Sequence, residues 1–368
     1  MKAQILEALK IVLVTFIFSA IIMELMKKIA VHIGAIDIPR SEEGHRHIHK
    51  KATPKMGAVG IFFAFLFGYM LFGEQSVKMN SILIGSFIMV FTGIIDDIKS
   101  IGAWQKLLGH LAAACVIVFY GNILLDNISA FGYNINFGIF AYPITIFFLV
   151  ACANIINLID GLDGLSGGIC CIFYITIGII CFFQGRSGSL VMTLTFIMLG
   201  STLGFLLHNF HPAKIFAGDC STFMGFIIGI ITLLEFKGPA LISFFVPITI
   251  LGIPILDTLF AIIRRLLKGE PPFKADKAHL HHQLLGMNFS PQTTVLIIYG
   301  INILFAAASI LYTLKDRTLG KIFYIIILII VLWFVLHTSI ISEKNPKIMK
   351  RLETKIGLRK KGKKKKST

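Results

Sequence analysis

Apolar runs of about 17 to 25 residues, the length that crosses roughly 30 Å of hydrocarbon, follow one another along nearly the whole chain. Only short polar links separate them, so no soluble domain of ordinary size is left over. With 56% hydrophobic and 15% charged residues among 368, the chain is too oily for a water-soluble protein. The reading is an all-α polytopic integral membrane protein with about eleven transmembrane helices, at roughly 5–26, 56–73, 80–95, 105–121, 137–155, 167–183, 189–207, 219–236, 240–262, 293–313 and 321–342. Residues 1–342 then form one transmembrane domain, with no 20 to 50-residue repeat inside it.

Orientation follows from the basic residues. Most of the 35 Lys and Arg fall in the links 27–55, 96–104, 156–166, 208–218 and 263–292 and in the C-terminal tail, which marks that face as cytoplasmic. The odd number of spans puts the N-terminus outside and the C-terminus inside. The first run lacks a small-residue cleavage site, so it reads as a retained helix. The tail, 343–368, ends RKKGKKKKST and reads as a solvated, disordered topology signal drawn to anionic headgroups. Basic residues confined to one membrane face, without an aromatic-interleaved soluble module, argue against nucleic acid. Six cysteines without CxxC or Cys/His metal spacing read as buried apolar packing.

The polar residues that interrupt this pattern carry the functional signal, because such groups are expensive in a bilayer. The stretch NIINLIDGLDGLSGG (Asn154 to Gly168) holds the densest group. At helical spacing Asn154, Asn157 and Asp160 step back by about 60° per three residues and share a face, before Gly161 and Gly164 let the backbone turn. Asp163 follows. Asp96 and Asp97 close the third span, Asp219 opens the eighth and Asp257 lies late in the ninth, all on the cytoplasmic side. Clustered Asp and Asn oxygens are hard ligands of the kind Mg²⁺ takes together with substrate phosphates. Lys50, Lys51, Lys55, Lys99, Lys106, Lys214, Arg264 and Arg265 are the cations available to a diphosphate.

A second signal is KAHLHH, with His279, His281 and His282 after the basic hinge RRLLKGEPPF. It suits phosphate contact or acid/base work, with transition-metal ligation or loop capping as alternatives. The similar His45, His47 and His49 read as a hydrated loop. GLDGLSGG follows a span and not a strand, which excludes Walker and Rossmann turns, and no GxSxG elbow is present.

Taken together, Asp37 to Pro39 (DIP), HKKATPKMG, DDIKS, NIINLIDGLDGL, FAGDCST and PILDTLFAIIRRLLKGEPPFKADKAHLHH stand in the order found in the polyprenyl-phosphate N-acetylhexosamine-1-phosphate transferases, which the chain resembles over about residues 30–290. HLHH and the Arg264-Arg265 pair after Asp257 make it similar to the branch that acts on UDP-GlcNAc and undecaprenyl phosphate, with the phospho-MurNAc-pentapeptide translocases as the sister branch. The resemblance implies a multi-pass enzyme of the plasma membrane, open to forming a homodimer, that makes undecaprenyl-diphospho-GlcNAc and UMP. It implies a requirement for Mg²⁺, with Mn²⁺ as a substitute. It assigns Asp219 and Asn157 to the metal, Asp96 and Asp97 to a catalytic pair, and Asp160 and Asp163 to the uridine side, with Asn154 also among the substrate contacts. Arg265, His279, His281 and His282 would grip the diphosphate and sugar, and Lys50 or Lys51 the phosphate region. The chain departs from the family in reading Gly57-Ala58 where Gly-Gly is usual. The rival from another class is a transporter, which predicts polar groups near mid-span and internal pseudo-repeats.

Overall fold

A computed structural model describes residues 2–37, 52–130, 133–185, 188–235, 252–267, 280–287, 289–314 and 317–337. The apolar runs fold as helices: α1 (Lys2–Ile33), α2 (Gly57–Phe72), α3 (Val77–Ile98), α4 (Ala103–Cys115), α5 (Ala141–Ile159), α6 (Leu165–Phe183) and α7 (Leu190–Asn209). They are followed by α8 (Thr222–Glu235), α9 (Gly252–Leu267), α10 (Leu280–Gly286), α11 (Pro291–Leu314) and α12 (Arg317–His337). A π-helical turn, Val116–Tyr120, prolongs α4. Among the described residues seven helical stretches are long and apolar enough to cross a membrane: Ala3–Ile33, Val77–Ile98, Ala103–Tyr120, Gly138–Ile159, Leu165–Phe183, Leu190–Asn209 and Pro291–Leu314.

The other four of the eleven expected spans are not among these seven. α2 and the apolar part of α12 are too short to count by length, and the expected span at 240–262 lies partly outside the described residues. The expected span at 219–236 does not begin as an α-helix. Asp219–Ser221 form a 3-10 turn, and α8 follows it to Glu235, where this stretch of described residues stops. Nearly all of its described residues are buried among neighbouring helices.

Around α8 the helices pack through small residues, as expected where lipid supplies no hydrophobic drive between helices. α1 meets α7 at Gly200 and Gly204, where an added Cβ would stand 2.0 Å from Thr15 Oγ1 and 2.5 Å from Ser19 Cβ. Ser19 Oγ donates to the Ser201 carbonyl at 2.6 Å across the same seam.

Among the described residues there are also two small two-stranded sheets. β1 (Ile36–Asp37) pairs antiparallel with β2 (Thr53–Pro54), Ile36 opposite Pro54. Lys55 then bridges Phe216 in parallel fashion, and the Gly57 N–H donates to the Phe216 carbonyl at 2.8 Å. This clasp ties the start of α2 to the segment leading into Asp219. β3 (Asn127–Ala130) and β4 (Tyr133–Asn136) pair in the link from α4 to α5.

Candidate active site

The last turn of α3 presents two adjacent carboxylates, and successive helical residues point about 100° apart. Their partners therefore differ. Asp96 is buried, with Oδ2 2.5 Å from Lys106 Nζ and Oδ1 accepting from the Ile101 N–H at 2.9 Å. Asp97 turns to the FAGDCST segment, where both its oxygens accept from the Asp219 N–H at 3.1 Å.

Gly218 makes that contact attainable. Its φ of +76° is a conformation that side chains disfavour, and a Cβ on it would lie 2.4 Å from Asp97 Oδ2. α3 also runs close under the 3-10 turn: a Cβ on Gly93 would meet the Cys220 backbone at 2.8 Å.

Lys106 joins the two segments, since its ammonium also reaches Asp219 Oδ1 at 3.2 Å. Two carboxylates thus share one ammonium, with Asp97 held behind them on the Asp219 N–H, an excess of negative charge in a partly buried place. Burial, followed by the neighbouring Asp96, pushes the Asp219 carboxyl above its ordinary value against the pull of Lys106.

α5 closes the cleft. Asn157 Nδ2 donates to Ser221 Oγ at 2.9 Å, which leaves its carbonyl oxygen as an acceptor. Asn154 lies one turn earlier. Asp96, Lys106, His110, Asn154, Asn157 and Asp219 line a single cleft, with Thr92, Gly93 and Thr222 completing it.

Asp160 follows at the end of α5 and accepts from Ser166 Oγ at 2.5 Å. Burial pushes its carboxyl up to about 7 despite that bond, and Asp219 and Asp163 add like charge. Asp163 is turned toward the other loop, where Oδ2 contacts His211 Nδ1 at 2.8 Å and the Ala213 N–H at 3.0 Å. Asn209 Oδ1 accepts from the Gly164 N–H at 2.9 Å, and Tyr299 Oη donates to the Gly164 carbonyl at 2.5 Å. The 160–164 turn is therefore held from α7, from α11 and from the loop before Asp219.

The HLHH motif reaches this turn through α10. His281 is buried with its ring over Gly161, where an added Cβ would stand 2.5 Å from Nε2. Asp257 anchors α10 by accepting from the Leu280 N–H at 2.7 Å, a capping role not assigned to it from sequence. Arg265 is buried on α9, and His282 lies on α10. His279, Lys50 and Lys51 lie outside the described residues, as do His45, His47, His49 and the tail 343–368.

Sequence reasoning did not separate Lys106 from the other candidate cations, and it passed over His110, Asn209, His211, Ser166 and Ser221. Lys106 and His110 do carry a signal, being four residues apart and so on one helical face. Ser221 carries none, because its partner Asn157 is 64 positions away, whereas Ser166 lies six residues from Asp160 in the same motif. Among the described residues no three His, Cys, Asp or Glu side chains group as a metal site on their own. Any cation here would draw on carboxylate and carboxamide oxygens together.

Membrane-length helices with a carboxylate-rich cleft where several of them end define a multi-pass membrane protein with a polar site. Comparison with known proteins identifies its kind. A family described as glycosyl transferase family 4 matches residues 79–235, the segment from α3 to α8 that holds every cleft residue. The chain is 40% identical over 344 residues to the probable undecaprenyl-phosphate N-acetylglucosaminyl 1-phosphate transferase of Bacillus subtilis, covering 90% of this chain and 94% of that one. It is 30% identical over 327 residues to the decaprenyl-phosphate N-acetylglucosaminephosphotransferase of Mycolicibacterium smegmatis, covering 78% of each. With the undecaprenyl-phosphate alpha-N-acetylglucosaminyl 1-phosphate transferase of Escherichia coli it shares 27% over 291 residues, 77% of this chain and 78% of that one. The chain belongs to this family of polyprenyl-phosphate N-acetylhexosamine-1-phosphate transferases.

Proposed function

We propose that the protein transfers GlcNAc-1-phosphate from UDP-GlcNAc to undecaprenyl phosphate at the cytoplasmic face of the plasma membrane, releasing UMP. The observation that carries this reading is the pairing of Asp96 and Asp219 through Lys106, with Asp97 on the Asp219 N–H, where α3 ends and α4 begins, in the segment matched by the family. A lipid phosphate and a sugar nucleotide can meet only at a membrane surface, and a carboxylate–ammonium cleft at helix ends suits that place. The basic links put this face on the cytoplasmic side, with the N-terminus outside and eleven spans in all.

The donor set suits Mg²⁺. Asp219 and Asn157 offer hard oxygens, and the excess of carboxylate over ammonium leaves negative charge for a divalent cation to offset. When bound, the metal would supply charge compensation for the diphosphate. The chain's own groups do the rest. An oxygen of the lipid phosphate attacks the β-phosphorus of UDP-GlcNAc, the bond from that phosphorus to the bridging oxygen breaks, and UMP leaves. Asp97 takes the proton that the lipid phosphate gives up. Lys106 faces the charge that develops on the transferred group. An aspartyl-phosphate route would place a phosphoryl group where the Asp219 N–H and Gly218 pack against Asp97, so a single displacement is the simpler path.

Purified protein is expected to release UMP from UDP-GlcNAc only when undecaprenyl phosphate and Mg²⁺ are both present. Turnover of UDP-MurNAc-pentapeptide in its place would move the protein to the sister branch.

A further inference from the structure

The amide nitrogen of Asn154 has two acceptor atoms within reach. Nδ2 donates to the Val150 carbonyl one turn back on α5 at 2.7 Å and lies 3.5 Å from His110 Nδ1. A carboxamide has two N–H donors and one carbonyl acceptor, so these contacts decide which end is which. The carbonyl oxygen is what Asn154 has left for the cleft. His110 itself is only 5% exposed, sits one turn after Lys106 on α4 and lines the same cleft. Opposite an N–H donor its Nδ1 can only accept, which places the ring proton on Nε2. A doubly protonated ring would set N–H against N–H and bring a second positive charge toward Lys106.

We propose that His110 is a positioning residue for the donor side of the site: it holds the Asn154 carboxamide so that an acceptor, and not a donor, is presented to the substrate. A carbonyl oxygen repels phosphate oxygens and accepts from O–H or N–H. Its partner is therefore a hydroxyl or the acetamido N–H of the sugar, and the phosphates are left to Lys106 and the metal. Without His110 the amide loses one of its two tethers and can turn its nitrogen inward, which removes the acceptor. This inference rests on the transferase reading given above.

The test compares wild type with His110→Phe, His110→Gln, Asn154→Ala and the His110→Phe/Asn154→Ala double variant. Turnover is followed with UDP-GlcNAc, undecaprenyl phosphate and Mg²⁺ varied in turn, and melting temperature is recorded for each variant. His110→Phe is expected to raise KM for UDP-GlcNAc about tenfold, equivalent to about 1.4 kcal/mol, with kcat within about threefold and KM for the lipid unchanged. His110→Gln, whose carbonyl can still accept from Asn154, restores most of the loss. The double variant is no worse than Asn154→Ala, because the two residues act as one unit. Additive losses, or no rescue by Gln, would mean that His110 only packs. A shifted Mg²⁺ requirement with unchanged KM for UDP-GlcNAc would overturn the sugar assignment. An unchanged His110→Phe beside an active wild type would overturn this proposal alone, whereas an inactive wild type would overturn the transferase reading with it.

Discussion

Asp219→Ala is expected to lower turnover of UDP-GlcNAc by about 10³-fold or more while the protein still inserts and folds. Removing one preorganised electrostatic group at a reaction centre costs about 10² to 10³, and Asp219 serves more than one purpose. Its carboxylate shares Lys106 with Asp96, and it is the carboxylate proposed to hold the metal. Folding should survive because its backbone N–H, which bonds Asp97, is kept in the variant. Activity and melting temperature of the purified variant, measured side by side, check this. Near-normal turnover would refute the metal role.

The second large effect falls on Asp97. Asp97→Asn preserves shape, and the remaining carbonyl oxygen can still accept from the Asp219 N–H. What is lost is a base. A loss in kcat of about 10²-fold or more is expected, the scale of a positioned proton-transfer group, with KM for UDP-GlcNAc little changed. An unchanged kcat would contradict the assignment. Asp96 makes a useful contrast. It is held against Lys106, so Asp96→Asn should act mainly by releasing that ammonium.

Much of this site was legible in the sequence because membrane proteins keep polar residues only where they are needed. Asp96, Asp97, Asn154, Asn157, Asp160 and Asp219 interrupt apolar runs, and the structure brings all six to one end of the bundle. The contacts themselves were not legible. Lys106 reaches Asp219 across 113 positions and Asp97 meets the Asp219 N–H across 122, and no local pattern encodes such pairs. Nor does a motif say which way a member of it points. Asp163 reads like a twin of Asp160, yet it is turned to His211 and the Ala213 N–H to hold a loop.

The helices were easy to place and harder to count as spans. Hydropathy reads 219–236 as one helical crossing, but its first turn, Asp219–Ser221, is 3-10 and α8 begins only at Thr222. Small residues at the α1–α7 seam and where Gly93 meets Cys220 were similarly opaque, because a glycine in an apolar run looks the same whether it allows close packing or not.

The account stands on the claim that a sugar phosphate, and not a bare sugar, crosses from nucleotide to lipid in the cleft around Lys106. UDP-GlcNAc labelled with ³²P at the β-phosphorus, incubated with purified protein, undecaprenyl phosphate and Mg²⁺, tests it in one extraction. The label should enter the organic phase with the lipid as unlabelled UMP accumulates. Label retained in water-soluble UDP while GlcNAc alone reaches the lipid would contradict it.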